Sequence, residues 1–275
     1  MRGRGAAGLL CGLMGAALVA VYLFPLYILL NVAVKSKEEL AASPYSFPRG
    51  IELGNFTQAA KQADYFTLMK NSLVLTAITV VFLIILSAMA SYAISRGRSR
   101  YHRFLYVFFL AGLMVPLQMI MLPLYKIISQ IGLMNNTAAL VLIYLGSGMS
   151  FLVFYFVGFL KTIPRELDEA AKIDGASKQM TFWLVIFPLM KTSVLTVAVL
   201  QVIWIWNDFL IPLLFLNNYK KMTLMVGIYS FVGERGSDWT MMFALITISI
   251  IPVILLYIFL QKYIVEGFTA GAIKG

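Results

Sequence analysis

The chain has 275 residues, 61% hydrophobic and 12% charged, and its 22 basic and 12 acidic side chains leave a formal net charge of +10. Soluble domains are usually about a quarter charged, so composition points to an integral membrane protein, and cations on cytoplasmic loops then explain the basic surplus better than nucleic-acid binding. With one cysteine, Cys11, neither an intrachain disulfide nor a cysteine metal site is possible.

Six runs with few or no charges are long enough to cross the hydrocarbon, which takes about 20 residues. The first lies between Arg4 and Lys35. Arg2 and Arg4 ahead of it resemble the start of a signal peptide, but the run is too long for a signal core and "FPLYILL" continues it without a cleavage site, so a retained helix is expected. The segment 35–71 follows, with turns in its first half and a short amphipathic surface helix in its second. The second run is Asn71 to Ser95. The basic loop "RGRSRYHR" comes next, and it places the lone His102 beside lipid headgroups rather than in a proton relay. The third run is Phe104 to Tyr125, and its Pro116 and Pro123 are expected to bend it around a cavity. The fourth is Thr137 to Leu160, the fifth Thr192 to Leu216 and the sixth Trp239 to Gln261. No period-2 alternation supports a transmembrane barrel.

Orientation follows from lysine and arginine. With the N-terminus inside, segments 1–6, 96–103, 161–191 and 262–275 hold thirteen basic residues, and the outer segments 35–71, 126–136 and 217–239 hold nine. Both termini are then cytoplasmic, and so is the stretch from Glu166 to Lys191, which carries four acids and three lysines between two apolar runs.

Pro164 suits a helix start, and Glu166, Asp168 and Glu169 have the right sign for the N-terminal turn. Leu167, Ala170, Ala171 and Asp174 recur at helical spacing, and Gly175 permits a change of direction. Small side chains at Ala170, Ala171 and Ala176 let a partner approach closely, and the carboxylates suit arginines of that partner. An ordinary interfacial helix covered by lipid is the alternative from residue chemistry alone.

Other motifs bound the function. There is no G-x-x-x-x-G-K-[ST] phosphate loop, no H-E-x-x-H and no G-x-S-x-G, so neither nucleotide hydrolysis nor hydrolase chemistry is expected, and no catalytic or metal-binding residue is assigned. Asp208 is almost the only titratable group inside a run, which leaves little for ion coupling. Trp206, Asn207 and Asp208, with Pro212 one turn on, and Gln118 in the third run are candidates for a translocation path, where amides, carboxylates and indoles suit sugars. A polar knot holding helices together is the alternative at Asp208.

"EAAKIDGASKQMTFWLVIFPL" resembles the EAA loop of ABC-importer permeases; one departure is Thr192 after Lys191, where the family pattern has proline. "NSLVLTAITVV", "SYAISR", "VPLQMIMLPLYKIISQIGLMNNTAALVL", "WIWNDFLIPL" and "QKYIVEGFTAGAIKG" resemble the carbohydrate-uptake branch, specifically the second, six-helix permease of maltose-type importers. The resemblance runs from about Phe24 onward. It implies an all-α integral membrane protein forming a single permease domain over 1–275, with the type I importer fold and a cytoplasmic coupling helix. By resemblance Glu169, Ala170, Ala171, Asp174, Gly175 and Ala176 dock on the ATPase, and the cytoplasmic tail 262–275, with Gly271 and Lys274, reaches toward the interface between two ATPase subunits. The implied partners are a second permease in a heterodimer, an ABC ATPase dimer that binds ATP and magnesium, an extracytoplasmic solute-binding protein and the bilayer. The implied location is a bacterial or archaeal cytoplasmic membrane. A permease for glycerol phosphate or a polyol is a neighbouring reading, and a stand-alone ion-coupled carrier or channel is the rival from another class.

Overall fold

The computed structural model describes residues 3–233 and 238–272, and every regular element among them is helical. In chain order these are α1 (Gly3–Ala33), α2 (Lys37–Ala42), α3 (Gly54–Gln62), α4 (Tyr65–Arg96), α5 (Arg100–Leu113), α6 (Leu117–Gln130), α7 (Thr137–Leu160), α8 (Glu166–Ile173) and α9 (Lys178–Thr181). A π-helical turn (Phe182–Ile186) leads into α10 (Phe187–Leu189), α11 (Lys191–Asn207), α12 (Leu210–Phe215), a short 3-10 turn (Tyr219–Lys221), α13 (Leu224–Gly233) and α14 (Trp239–Ala272). The chain packs as two units, one of Met1–Phe66 with Val226–Pro252 and one of Thr67–Met225 with Val253–Gly275.

In the first unit, α1 shows its apolar side chains to the surroundings from Cys11 onward, with Leu13, Met14, Tyr22 and Leu30 all more than half exposed. That suits a helix solvated by lipid. The polar segment after it is folded against the helix end rather than loose. Lys35 is fully buried, and its Nζ donates to the Ser43 carbonyl at 2.8 Å and to Ser46 Oγ at 3.2 Å. Asn31 Nδ2 donates to the Pro44 carbonyl, and Asn55 Nδ2 donates to the carbonyls of Ala33 and Lys35. The bond from Asn55 satisfies the Ala33 carbonyl at the end of α1, which no backbone N–H of the helix can reach, and the others fix the carbonyls of the segment that follows. Ser36 caps α2 through a bond from Glu39 N. Lys37 pairs with Asp238 at 2.7 Å, while Asp238 Oδ1 accepts from Thr240 Oγ1 and Met241 N and so caps α14.

In the second unit the core lies where α4, α7, the π-helical turn, α11 and α12 meet, around Leu83, Tyr144, Phe156, Ile186, Val197 and Phe215. Lipid tails are as apolar as leucine, so close packing and hydrogen bonds must hold such helices together. The sequence provides for this in α4, where Ser72, Thr76, Thr79, Leu83, Ser87 and Ser91 fall at three- and four-residue spacing and are all buried. Small side chains along one stripe let backbones approach. The same logic governs α5 on α7, where a Cβ on Gly112 would collide with Ser150 Oγ.

Among the described residues three helices are long and apolar enough to cross a membrane alone, or five if each of two bent pairs is one span. The apolar part of α14, Trp239–Leu255, is shorter. The third apolar run of the sequence is not one rod: α5 and α6 meet at 102° around Met114 to Pro116, because the residue before a proline is driven out of the helical region. The fifth run starts earlier and ends earlier than its charges indicate. α9, the π-helical turn and α10 form one apolar arm bent by 75° from α11, and α11 stops at Asn207. α4 begins at Tyr65 rather than Asn71, and α14 continues to Ala272 through what the sequence marks as a separate tail.

Candidate functional site

The stretch after α7 forms a helix, a sharp turn and a second helix. α8 begins with Glu166, Asp168 and Glu169 in its first turn, where the positive end of the helix dipole favours them. It ends in a Schellman arrangement: Ala176 N donates to the Ala171 carbonyl at 2.9 Å and Gly175 N to the Lys172 carbonyl at 3.1 Å. This geometry requires a left-handed residue after the cap, and Gly175 has φ +84° with open space around it. Ser177 then caps α9 through a bond from Met180 N. The turn is therefore fixed by its own hydrogen bonds.

The residues singled out in this loop divide between two faces. Glu169, Ala170, Asp174 and Gly175 are exposed, as is Ile173 at 85%. Ala176 is half-buried and Ala171 is buried. The small residues thus do not form one exposed face: Ala171 packs inward, and Ala170 alone of the three is open. An exposed isoleucine beside carboxylates and a glycine makes a compact, partly apolar knob.

Sequence reasoning missed the side chains that fix this knob to the rest of its unit. Asp168 points inward, its Oδ1 accepting from Tyr92 Oη at 2.7 Å and its Oδ2 lying 2.9 Å from Arg96 Nε. Arg96 also donates to the carbonyls of Leu160 and Ile163 at the end of α7, and Arg165 donates to the Ser95 carbonyl. One arginine thus joins the ends of α4 and α7 to α8. The Tyr92 ring lies 5.3 Å from that of Phe182, which contacts Trp183 and Phe187. A displacement of α8 therefore meets α4 through a carboxylate and the π-helical turn through aromatic rings. The available signal was Tyr92 and Arg96 one helical turn apart at the end of an apolar run.

The intramembrane candidates are placed differently from one another. Asp208 sits in the break between α11 and α12, where its Oδ1 accepts from Leu210 N at 3.0 Å and its Oδ2 from the fully buried Tyr144 Oη at 2.7 Å. It caps α12 and ties it to α7. Trp206 is buried, Asn207 is exposed and bonds back to the Ile203 carbonyl, and Gln118 is exposed on the first turn of α6. Among the described residues no hydrogen bond or ion pair joins Gln118 to the other three. Asn135, in the left-handed region at φ 59°, clamps the α6–α7 turn to the segment after α12, accepting from Asn217 N and Asn218 N. His102 is half-buried, its Nδ1 2.7 Å from Ser99 Oγ. Among the described residues no group of histidine, cysteine and carboxylate side chains is arranged to hold a metal. Gly271 lies in the last turn of α14, and Lys274 falls outside the described residues.

Comparison with known proteins bears on these features. Residues 89–269 match the family described as "Binding-protein-dependent transport system inner membrane component". The chain is 34% identical to the probable starch degradation products transport system permease protein AmyC of Thermoanaerobacterium thermosulfurigenes, over 95% of each chain. It is 31% identical to the melibiose/raffinose/stachyose import permease protein MelC of Bacillus subtilis, over 96% of this chain and 95% of the relative. It is 34% identical to the multiple sugar-binding transport system permease protein MsmG of Streptococcus mutans, over 92% of each. Its fold matches a chain in the crystal structure of a bacterial ABC transporter that imports the acidic polysaccharide alginate, with a TM-score of 0.82 at 22% identity over 96% of this chain and 98% of that one.

Proposed function

Because the chain belongs to the family of binding-protein-dependent transport system inner membrane components, and is a multi-pass transport component rather than an enzyme, we propose that it is the second of two permeases in an ABC importer for a sugar or oligosaccharide. The names of its relatives support the substrate class, since AmyC, MelC and MsmG are each described as transporting saccharides. In this reading six spans cross the cytoplasmic membrane with both termini inside, and a heterodimeric partner permease completes the pathway. A solute-binding protein delivers the sugar; the complex of the alginate importer with a sugar-loaded periplasmic protein, similar in fold at a TM-score of 0.68, is consistent with this. ATP and magnesium belong to a dimer of partner ATPases, and this chain holds neither.

The observation that carries the coupling mechanism is α8. It presents Glu169, Ala170, Ile173 and Asp174 outward while Asp168 holds it to Arg96 and Tyr92. The exposed knob docks on the ATPase. Closure of the ATPase dimer then pushes α8, and the Asp168 contacts pass the push to α4 while the Phe182 cluster passes it toward α11. Gly271, in the last turn of α14, marks the end that would reach toward the ATPase interface. Gln118 and Asn207 are the side chains left open to meet sugar hydroxyls.

Two substitutions test the docking. Gly175→Val forces a β-branched residue into the left-handed region, at about 1–2 kcal/mol or more, while filling only open space. Glu169→Lys reverses a charge on the exposed face. Both variants are expected to insert normally yet co-purify poorly with the ATPase and lose ATP-driven uptake. Normal ATPase association and uptake in both would remove the docking role.

A further inference from the structure

One cleft borders the coupling contacts, since Tyr92, Arg96, Asp168 and Phe182 line it, but the mechanism assigns nothing to fill it. It has a volume of about 880 Å³ and lies between the end of α4, the loop into α5, and α8 with α9. Its floor is apolar and aromatic, made of Met89, Ala93, Phe182 and Trp183. Its rim is cationic: five arginine and lysine side chains face two carboxylates. Asp168 is already neutralised by Arg96 at 2.9 Å. Arg98, Lys172 and Lys178 make no ion pair and no side-chain hydrogen bond among the described residues, and Arg98 and Lys178 are exposed.

A second observation points the same way. α5 opens onto this cleft through Ser99 and His102, and its N-terminal amides have no side-chain cap because Ser99 Oγ is engaged with His102 Nδ1. The first turn carries Arg100 and Arg103 and no acid. Cations at the positive end of a helix dipole are unfavourable, and an anion placed there relieves them. Phosphate suits both the free amides and the arginine fork. The apolar floor beside the rim has no use for a free anion but matches the glycerol and upper acyl carbons of a lipid.

We propose that this cleft binds the phosphate headgroup of an anionic phospholipid, with Arg98, Lys172 and Lys178 and the α5 N-terminus holding the phosphate and Trp183 and Met89 contacting the apolar carbons. The bound lipid lies against α8, because Glu169 and Ala176 border the cleft, so lipid composition would tune coupling. The inference goes beyond the transport reading, and binding is measured without transport, so the two fail separately.

The experiment uses the assembled transporter in nanodiscs of phosphatidylcholine containing a photoactivatable phosphatidylglycerol, with cross-linked peptides located by mass spectrometry. The wild type should be labelled within residues 89–103 and 176–184. Losing two cations beside an anionic headgroup, Arg98→Gln/Lys178→Gln should reduce labelling about tenfold or more. Lys161→Gln/Lys191→Gln removes the same charge from two exposed lysines outside the cleft and should leave labelling near the wild-type level. Lys178→Arg, which keeps the charge, should also retain it. Unlabelled phosphatidylglycerol should compete and inorganic phosphate should not. Equal labelling of all variants, equal loss in both double variants, loss in Lys178→Arg, or displacement by inorganic phosphate would each overturn the proposal.

Discussion

Asp208 shows how one side chain's role depends on its partners. A carboxylate within an apolar run invites a functional reading. Its two oxygens, however, are occupied by Leu210 N and Tyr144 Oη, and the Tyr144 ring packs edge-on against Trp204. Tyr144→Phe removes one donor and leaves a carboxylate oxygen short of a partner, which costs about 1–3 kcal/mol. Thermal unfolding of the purified complex should show that loss, while the KM for sugar uptake stays within a few-fold of wild type. A large rise in KM with unchanged stability would return Asp208 to the transport path. Nothing in sequence distinguished the two readings, because Tyr144 is 64 residues away and sits in a run that reads simply as apolar.

Two electrostatic contacts act at the level of elements. The contact of Asp168 with Arg96 and Tyr92 joins α8 to α4. Asp168→Asn keeps the shape and removes the charge, leaving Arg96 partly buried without its anion, at about 2 kcal/mol or more. The expected result is an assembled transporter whose ATP hydrolysis no longer depends on the loaded binding protein. Retained coupling would show that α8 acts through another route. The second contact ties the start of α2 to the start of α14. Burial alone would raise the Asp238 carboxyl, but the bonds from Lys37, Thr240 and Met241 and the Lys37 charge together hold it below the usual range. The hydrogen bond and charge of Asp238 raise Lys37. A depressed carboxylate contributes stability above its unfolded pKa of about 4 and loses it as pH falls through the folded value. A raised lysine contributes below its unfolded value and loses it only in strong alkali. The tie therefore holds through neutral pH and fails in acid, and with Lys37 mostly exposed it is worth under about 1 kcal/mol. Relative to the intrinsic amide rate, which itself varies with pH, hydrogen exchange in residues 36–46 should be equally slowed from about pH 7 to 5 and become faster below about pH 4. Asp238→Asn should show the faster exchange already at neutral pH, and an unchanged rate in that variant would contradict the tie.

For the molecule as a whole, composition and charge placement revealed the helical membrane class, and the loop from Glu169 to Ala176 was legible because capping acids, a left-handed glycine and spacing are local signals. Pro116 announced the bend in the third run but not that it would reach 102°, and the bend at Met190 was less legible, since an apolar run reads the same straight or broken. The attachment of α8 through Asp168 left only the weak signal of Tyr92 and Arg96 one turn apart, because these partners lie more than 70 residues earlier. The buried Lys35 read as a loop charge, because a lysine satisfied by carbonyls and a hydroxyl has no pattern along the chain. All of these features serve one claim, that the chain is a passive permease driven through α8 by an outside ATPase. The direct measurement is sugar uptake into sealed vesicles holding either this chain alone or this chain with its partner permease and ATPase, with loaded binding protein outside and ATP inside. Accumulation only in the complete assembly, abolished without ATP and indifferent to collapse of the ion gradients, is the predicted result. Uptake by the lone chain driven by an ion gradient would contradict the account.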